Sequence, residues 1–405
     1  MKKNLRMKKV GVLAVTAVMS ISLFGCGTQS STNQASSSSA GSKTAHVAQP
    51  AWYKEPTANQ LKQAQQDTIA GVILSSGPNG EKAFPAKDIK ITNEELAKIK
   101  EGHYTAAIAM HYSGNDWSQQ QIAGLKAEFA KLGINVIAVT DANFKSAQQI
   151  SDLEAISAKK PNILVSIPVD AKTESSAYKK IAASGTKIVF MDQPASAMTA
   201  GKDYVSVVSA DNFGNGMVAA DELAKALGGK GNVAALYYAS NFYVTNQRYE
   251  GFVARLKAKY PNIHLVATEG FQDPNQTQSV ASALLTKNQN IQAMWVAWDV
   301  PAMGAVSAAR IAGKSPSNFT IVCEDLGNEV ALNMAQNGFV KGLGAQRPYD
   351  QGVAEAEEAA LSLIGGQTRP YVAVPSLAVD RSNLAQSYQT VYHAAPPADV
   401  TNALK

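Results

Sequence analysis

The sequence predicts an α/β protein built as two doubly wound parallel-sheet lobes in tandem, joined by a three-crossover hinge. Three observations carry this expectation. From Thr105 onward, short continuous apolar runs alternate with amphipathic segments, which is the pattern of a parallel sheet covered on both faces. The alternation restarts after Asp211. The roughly 300 residues involved exceed what a single hydrophobic core organises.

The elements follow in order. Ala106–Met110 reads as a buried strand. Ser118–Leu132 reads as a helix with Ile122, Leu125, Phe129 and Leu132 on one face, stopped by Gly133. Ile134–Val139 is the next strand and Ala147–Lys159 the next helix. The unit repeats through the strand Ile163–Ile167, the helix Ser175–Ala183 and the strand Ile188–Met191. The second set opens with a helix at Phe213–Leu227, a strand at Val233–Tyr237 and a helix at Arg248–Lys259 ended by Pro261. Strands follow at His264–Ala267, Ala293–Ala297, Thr320–Cys323 and Val340–Gly344, with helices at Thr277–Thr286, Ala302–Ile311 and Asn328–Asn337 between them. A last helix covers Asp350–Ile364, and an apolar stretch runs from Tyr371 to Val379.

Ahead of this body stands a leader. Lys2, Lys3, Arg6, Lys8 and Lys9 precede an apolar run from Val10 to Phe24, a basic n-region and a secretory h-region. The run is short for a membrane span, which needs about 20 residues. It ends in Leu23-Phe24-Gly25-Cys26, which resembles a bacterial lipobox; that resemblance implies a diacylglycerol on Cys26 and cleavage before it. Gly27–Ser42 is Ser-rich and suits a flexible tether. The expected division is a leader at 1–25, a tether at 26–50, an N-terminal extension at 51–104, a first lobe of 105–209 plus 347–374, and a second of 210–346 plus 375–395. Within the extension, helices are expected at Asn59–Gln66 and Asn93–Lys100, and it is read as packing on the main body.

Charge narrows the function classes. The chain carries 37 basic and 32 acidic residues. Residues 1–25 hold five of the basic ones and none of the acidic ones, so the pI of 8.9 belongs to the leader. No basic face argues for nucleic acid or anionic lipid. Cys26 and Cys323 are the only cysteines; with lipid on the first, no internal disulfide forms. The five histidines are scattered without metal-ligand spacing, so neither metal nor cofactor is expected. No nucleophile elbow, phosphate loop or dinucleotide fingerprint is present, which argues against an enzyme.

In doubly wound sheets, ligands sit beyond the carboxyl ends of the strands. The residues found there are planar hydrogen-bonding groups and aromatics: Asn115, Trp117, Asp192, Gln193, Trp298, Asp299, Glu324, Asp325 and Gln346, with Arg248 and the 238–246 loop nearby. A neutral polyhydroxylated ligand needs such a set. Its vicinal hydroxyls pair bidentately with carboxylate, amide or guanidinium groups. Its C–H faces lie on aromatic rings. Plainer readings apply to neighbouring residues. Trp295 and Cys323 are expected in the core, Tyr237 suits an inward-facing position, Asp152 and Glu154 suit a solvated helix face, Asp211-Asn212 suits a hinge or helix cap, and Arg347 suits a pair with Asp350.

Thr105–Gly133, Ile188–Pro194, Arg248-Tyr-Glu-Gly-Phe252, Trp298-Asp299, Cys323-Glu324-Asp325 and Gly344–Gly352 together resemble the ribose/galactose-type solute-binding proteins of ABC importers, which have the type I periplasmic binding protein fold. The resemblance spans Thr105 to Asp380. It implies ligand-binding roles for Asn115, Trp117, Asp192, Gln193, Arg248, Trp298, Asp299, Asp325 and Gln346. Three positions depart from the family: Ser118 stands where a second aromatic is common, Gln193 where Arg is frequent, and Trp298 where an amide or carboxylate is usual. The expectation is an extracytoplasmic lipoprotein, monomeric, that delivers a monosaccharide or polyol to a membrane permease. A sugar-sensing protein presenting its ligand to a membrane receptor or sensor kinase is the alternative.

Overall fold

The computed structural model describes residues 47–405. The expected leader, Cys26 and the tether up to residue 46 lie outside the described residues. Ala48 and Gln49, assigned to the end of the tether, are held on the body: Thr268 Oγ1 donates to the Ala48 carbonyl, and Tyr249 Oη donates to Gln49 Oε1 at 2.6 Å.

The extension supplies α1 (Ala58–Gln63), β1 (Phe84–Pro85) and α2 (Asn93–Glu101). The first series is β2 (Thr105–Met110), α3 (Asp116–Leu132), β3 (Asn135–Asp141), α4 (Ser146–Ala158), β4 (Ile163–Ser166), α5 (Ser175–Ala183), β5 (Lys187–Met191) and β6 (Ser206–Ala210). The second is α6 (Asn212–Leu227), β7 (Gly231–Tyr238), α7 (Tyr243–Lys259), β8 (Ile263–Phe271), α8 (Thr277–Lys287), β9 (Ala293–Val296), α9 (Asp299–Ile311), β10 (Thr320–Glu324), α10 (Asn328–Ala335) and β11 (Val340–Ala345). The chain ends with α11 (Pro348–Leu363), β12 (Tyr371–Val374), β13 (Leu377–Asp380), α12 (Leu384–Tyr392) and α13 (Ala398–Leu404).

These strands form two sheets. The first is wholly parallel, in the order β1-β12-β6-β5-β4-β2-β3. The second runs β13-β11-β10-β9-β7-β8 and is parallel except for the β11–β13 pair. The chain passes between the sheets after β6, after β11 and after β12, as the sequence predicts. The strands are apolar on both faces because helices cover both: β4 and β12 are buried at every residue.

Three differences from the sequence reading have physical causes. No strand is predicted at β6, where Ser206 and Ser209 interrupt the valines, yet both serines are buried inside the sheet. Helix α7 begins at Tyr243, five residues before the predicted start. Phe242 offers it no side-chain cap; its first turn is held instead by the extension, since Tyr243 Oη donates to the carbonyls of Ser76 and Gly77. Finally, α12 and α13 are additional helices beyond Val379.

The extension touches both lobes. Ala64 and Ile69 join an apolar cluster with Phe213, Met217 and Ala254 of the second lobe. Arg255 is fully buried, pairs with Asp221 and donates to the carbonyls of Ala64 and Gln66. At the seam, Ser75 donates through both its amide and its hydroxyl to Asp211 Oδ1, each at 2.8 Å. Beyond it, β1 adds an edge strand to the first sheet, and Ile89 and Ile99 enter the first lobe's core. The extension is therefore a fourth chain crossing beside the three expected ones.

One helix contact positions the site. Helix α11 packs on α3 so closely that a Cβ at Gly124 would stand 2.2 Å from the Tyr349 carbonyl oxygen, and one at Gly352 would stand 2.5 Å from that of Gln121. Only glycine permits this approach. Among the described residues, no helix is long and apolar enough to cross a membrane.

Candidate functional site

Two carboxylates occupy equivalent places in the two lobes. Asp192 follows β5 and Asp325 follows β10, and each sits in the left-handed region, with φ of 59° and 67°. Each backbone amide donates to the neighbouring strand, Asp192 to Val208 at 2.8 Å and Asp325 to Gly344 at 3.1 Å. Aspartate tolerates this conformation better than most residues. The turn aims both side chains off the carboxyl ends of their sheets.

A continuous run of hydrogen bonds joins them. Ser209 Oγ donates to Asp192 Oδ1 at 2.7 Å, and Asn212 Nδ2 donates to Ser209 Oγ at 3.0 Å. Arg248 Nε donates to Asn212 Oδ1 at 3.0 Å. Arg248 Nη1 donates to the Ala297 carbonyl at 3.0 Å and to Asp325 Oδ2 at 3.1 Å. Gln346 Nε2 donates to Asp325 Oδ1 at 2.8 Å, and Gln351 Nε2 approaches Gln346 Oε1 at 3.4 Å. Arg248 is 4 % exposed and Gln346 3 %, so this network lies within the protein, where hydrogen bonds are electrostatically stronger than in water.

Beside it lies a narrow cavity of about 10 Å³ between the lobes, lined by Trp117 from the first lobe, by Asp299, Asp325, Leu326 and Gln346 from the second, and by Tyr392 of α12. The lobes meet across it. Asp116 Oδ2 accepts from the Asn328 amide at 2.8 Å and Asp116 Oδ1 from its side chain at 3.0 Å. The first-lobe carboxylate thus caps the first turn of α10 in the second lobe. Tyr388 Oη fixes Asn328 from behind, at 2.6 Å.

The acids feel each other and their burial. Burial raises Asp192 to about 6; Asp325 adds to this, while the Ser209 bond and Arg248 oppose it. Burial, with Asp325 and Asp116 nearby, raises Asp299 to about 8. Glu324, whose Oε1 accepts from the Trp295 indole at 2.9 Å, is also pushed well up by burial. Next to Trp117, burial takes His111 down to about 4, so that ring is neutral.

The structure brings Trp117, Asp299, Asp325 and Gln346 to the cavity, with Asp192 and Arg248 in the network beside it. Gln193 is buried next to Asp192. Asn115 caps α3, its Oδ1 accepting from the Ser118 amide at 2.9 Å. Trp298 is not among the side chains lining the cavity; its ring packs against Tyr238 and Phe271, at centroid distances of 5.3 and 5.0 Å. Trp295 and Cys323 are core residues, and Arg347 pairs with Asp350 at 2.5 Å. Sequence reasoning assigned no site role to Asp116, Ser209, Asn212 or Gln351. A polar residue at the end of a buried strand, as in Ser209-Ala210-Asp211-Asn212, was the available signal.

A family model described as a periplasmic binding protein domain matches residues 106–368. The chain belongs to the periplasmic binding protein family. Among characterised members, it is 28 % identical over 276 residues to the ribose import binding protein of Bacillus subtilis, covering 67 % of this chain and 86 % of that one. It is 27 % identical over 211 residues to the ribose import binding protein of Escherichia coli, covering 52 % and 69 %. Among solved structures of periplasmic binding proteins, one from Actinobacillus succinogenes with bound D-allose aligns with a TM-score of 0.62 and 26 % identity, over 70 % of this chain and 99 % of that one. A solute-binding protein from Agrobacterium vitis with bound α-D-tagatopyranose aligns with a TM-score of 0.64 and 24 % identity, over 71 % and 99 %.

Proposed function

We propose that this chain is the substrate-binding component of an ABC importer, anchored outside the cytoplasm through lipid on Cys26, and that it holds a monosaccharide or related polyol between its lobes. The observation that carries this reading is the hydrogen-bonded run from Asp192 to Gln346 beside a cavity that both lobes line, in a chain of this family. Carboxylate, amide and guanidinium groups there match vicinal hydroxyls, and Trp117 offers a ring face to the C–H side of a sugar. The names of the relatives, which concern ribose, allose and tagatose, support the same ligand class. Asn115, Gln193 and Trp298 belong to the proposed site with the residues already at the cavity.

Ligand held by both lobes makes more contacts in the closed form, and so shifts the population toward closure by its differential affinity. A permease then recognises the closed form. The test is thermal unfolding of residues 27–405 with Cys26 removed, against a panel of pentoses, hexoses and polyols. A sugar that raises the Tm in a saturable way supports the reading. No response to any sugar or polyol rejects it. For the anchor, Cys26→Ser should abolish incorporation of labelled fatty acid; label persisting on the variant rejects lipidation.

A further inference from the structure

Three polar side chains have no role in the network described above, or only a marginal one, yet they are fully buried. Gln121 on α3, and Gln351 and Glu355 on α11, are each 0 % exposed. Both polar atoms of Gln121, both oxygens of Glu355 and Oε1 of Gln351 have no hydrogen-bond partner within the chain. Buried polar atoms are nearly always paired, and an unmade bond costs the folded protein its full desolvation penalty. Five such atoms on two adjoining helices are a concentration that packing alone disfavours.

Their placement ties them to the ligand cleft. Gln121 lies one turn beyond Trp117 on α3, so the two share a helix face. Gln351 and Glu355 are likewise one turn apart on α11. The close approach at Gly124 and Gly352 brings the two helices together at this level. Gln351 reaches toward Gln346, which lines the cavity, and Glu355 feels the charge of Asp192. Gln346 and Asp192 thus connect the three side chains to the network beside the cavity, although none of the three lines the cavity itself.

We propose that Gln121, Gln351 and Glu355 form a subsite in the first lobe that receives a hydroxyl-bearing arm of the ligand, so that the protein prefers a hexose or hexitol to a pentose. The inference rests on the sugar-binding reading of the cleft. The chemistry matches a neutral hydroxyl. A glutamine amide donates and accepts, and burial, reinforced by Asp192, holds the Glu355 carboxyl well above the usual range. Burial therefore favours the neutral acid form, which also donates and accepts. A pentose filling the seat between Asp192 and Asp325 leaves these atoms unpaired, whereas one further hydroxymethyl group passing beneath Trp117 pairs with them. A site built to bond a hydroxyl rejects the analogue that lacks it.

Calorimetry on residues 27–405 with D-ribose, D-arabinose, D-allose, D-tagatose, D-galactose and allitol tests this, alongside Gln121→Leu, Glu355→Leu and Glu355→Gln. The expected result is at least tenfold tighter binding of the best six-carbon ligand than of either pentose. Each leucine variant should lose at least tenfold for that ligand and change pentose affinity by less than twofold. Glu355→Gln, which still donates and accepts, should retain most of the six-carbon affinity. Ligand-free Tm should rise in the leucine variants, because an unpaired polar group is removed; this also certifies that they fold. A pentose as the tightest ligand, or six-carbon affinity unchanged in both leucine variants, overturns the subsite while leaving the sugar site standing. Absence of binding by every sugar and by allitol overturns the underlying reading and the subsite together.

Discussion

The two lobes hold the buried polar groups near their cleft differently. In the second lobe, Arg248, Asp325 and Gln346 saturate one another and the Ala297 carbonyl. In the first, the Trp117 indole nitrogen, Gln121 and Glu355 are buried without partners in the chain. The second lobe is a preorganised platform whose geometry is fixed before any ligand arrives. The first is incomplete, and gains from closing over something polar. Such an arrangement separates the order of events: docking on the second lobe, then closure of the first.

Removing the centre of the platform should have the largest effect. Arg248→Ala strands the buried Asp325, a loss of about 3–5 kcal/mol in stability, and should abolish binding in calorimetry. If Tm and affinity both survive, the second lobe is not the anchor. The latch between the lobes comes next. Asp116→Ala removes two bonds to Asn328, each about 1.5–3 kcal/mol when one partner is charged. Ligand-free protein should then show a larger radius of gyration in X-ray scattering, and ligand affinity should fall roughly tenfold. An unchanged radius would mean that the contact does not govern closure.

Asp299 is the exception that sharpens the comparison, a second-lobe carboxylate at the cavity with no cation bonded to it. Its acidity is about 8 in the fold against 3.8 as the ordinary value, and that of Asp192 about 6. The folded state resists ionising both. Their contribution to stability is complete below about pH 4, and is lost as the pH rises through 6 for Asp192 and 8 for Asp299. Ligand-free Tm should therefore decline from pH 5 to pH 8.5, and Asp299→Asn should flatten the upper part of that decline. An unaltered profile in the variant would assign the slope to other groups. The smallest effect belongs to the seam between the lobes. Ser75→Ala deletes the hydroxyl's bond to Asp211 and the one it accepts from the Phe213 amide and should cost about 1–3 kcal/mol, read as a lower Tm with ligand affinity changed less than threefold. A larger affinity change would make the extension part of the closing machinery.

Much of the architecture is legible in the sequence because topology does the placing. Asp192, Asp325 and Gln346 follow buried apolar strands, and in a doubly wound sheet such positions converge on one crevice. Arg248 is legible as a polar group near the strand ends, while its binding role comes from the family resemblance and its true place, one turn inside α7, is not, since the segment carries no helix-start signal. Trp298 shows the limit of the strand-end rule: it gives a residue's place, not the direction of its ring, which Tyr238 and Phe271 set here. Gln121, Gln351 and Glu355 were not readable at all. A polar residue in an amphipathic helix looks solvent-facing, and what buries these three is the approach of α11 to α3 from more than 200 residues away, a tertiary fact.

The strand pairing at the edge of the first sheet also dictates an order of assembly. Phe84 and Pro85 pair with Val372 and Ala373, and β12 in turn covers β6. As the chain is synthesised, the first lobe waits with β6 unpaired on that side until residue 374 exists. The second lobe draws five consecutive strands from residues 231–345 and lacks only β13. Contacts so distant in sequence form slowly, and an open strand edge invites pairing with other chains. Five of the six strands of the ligand platform thus exist before the first sheet can close, and through that interval the edge of the first sheet stays open.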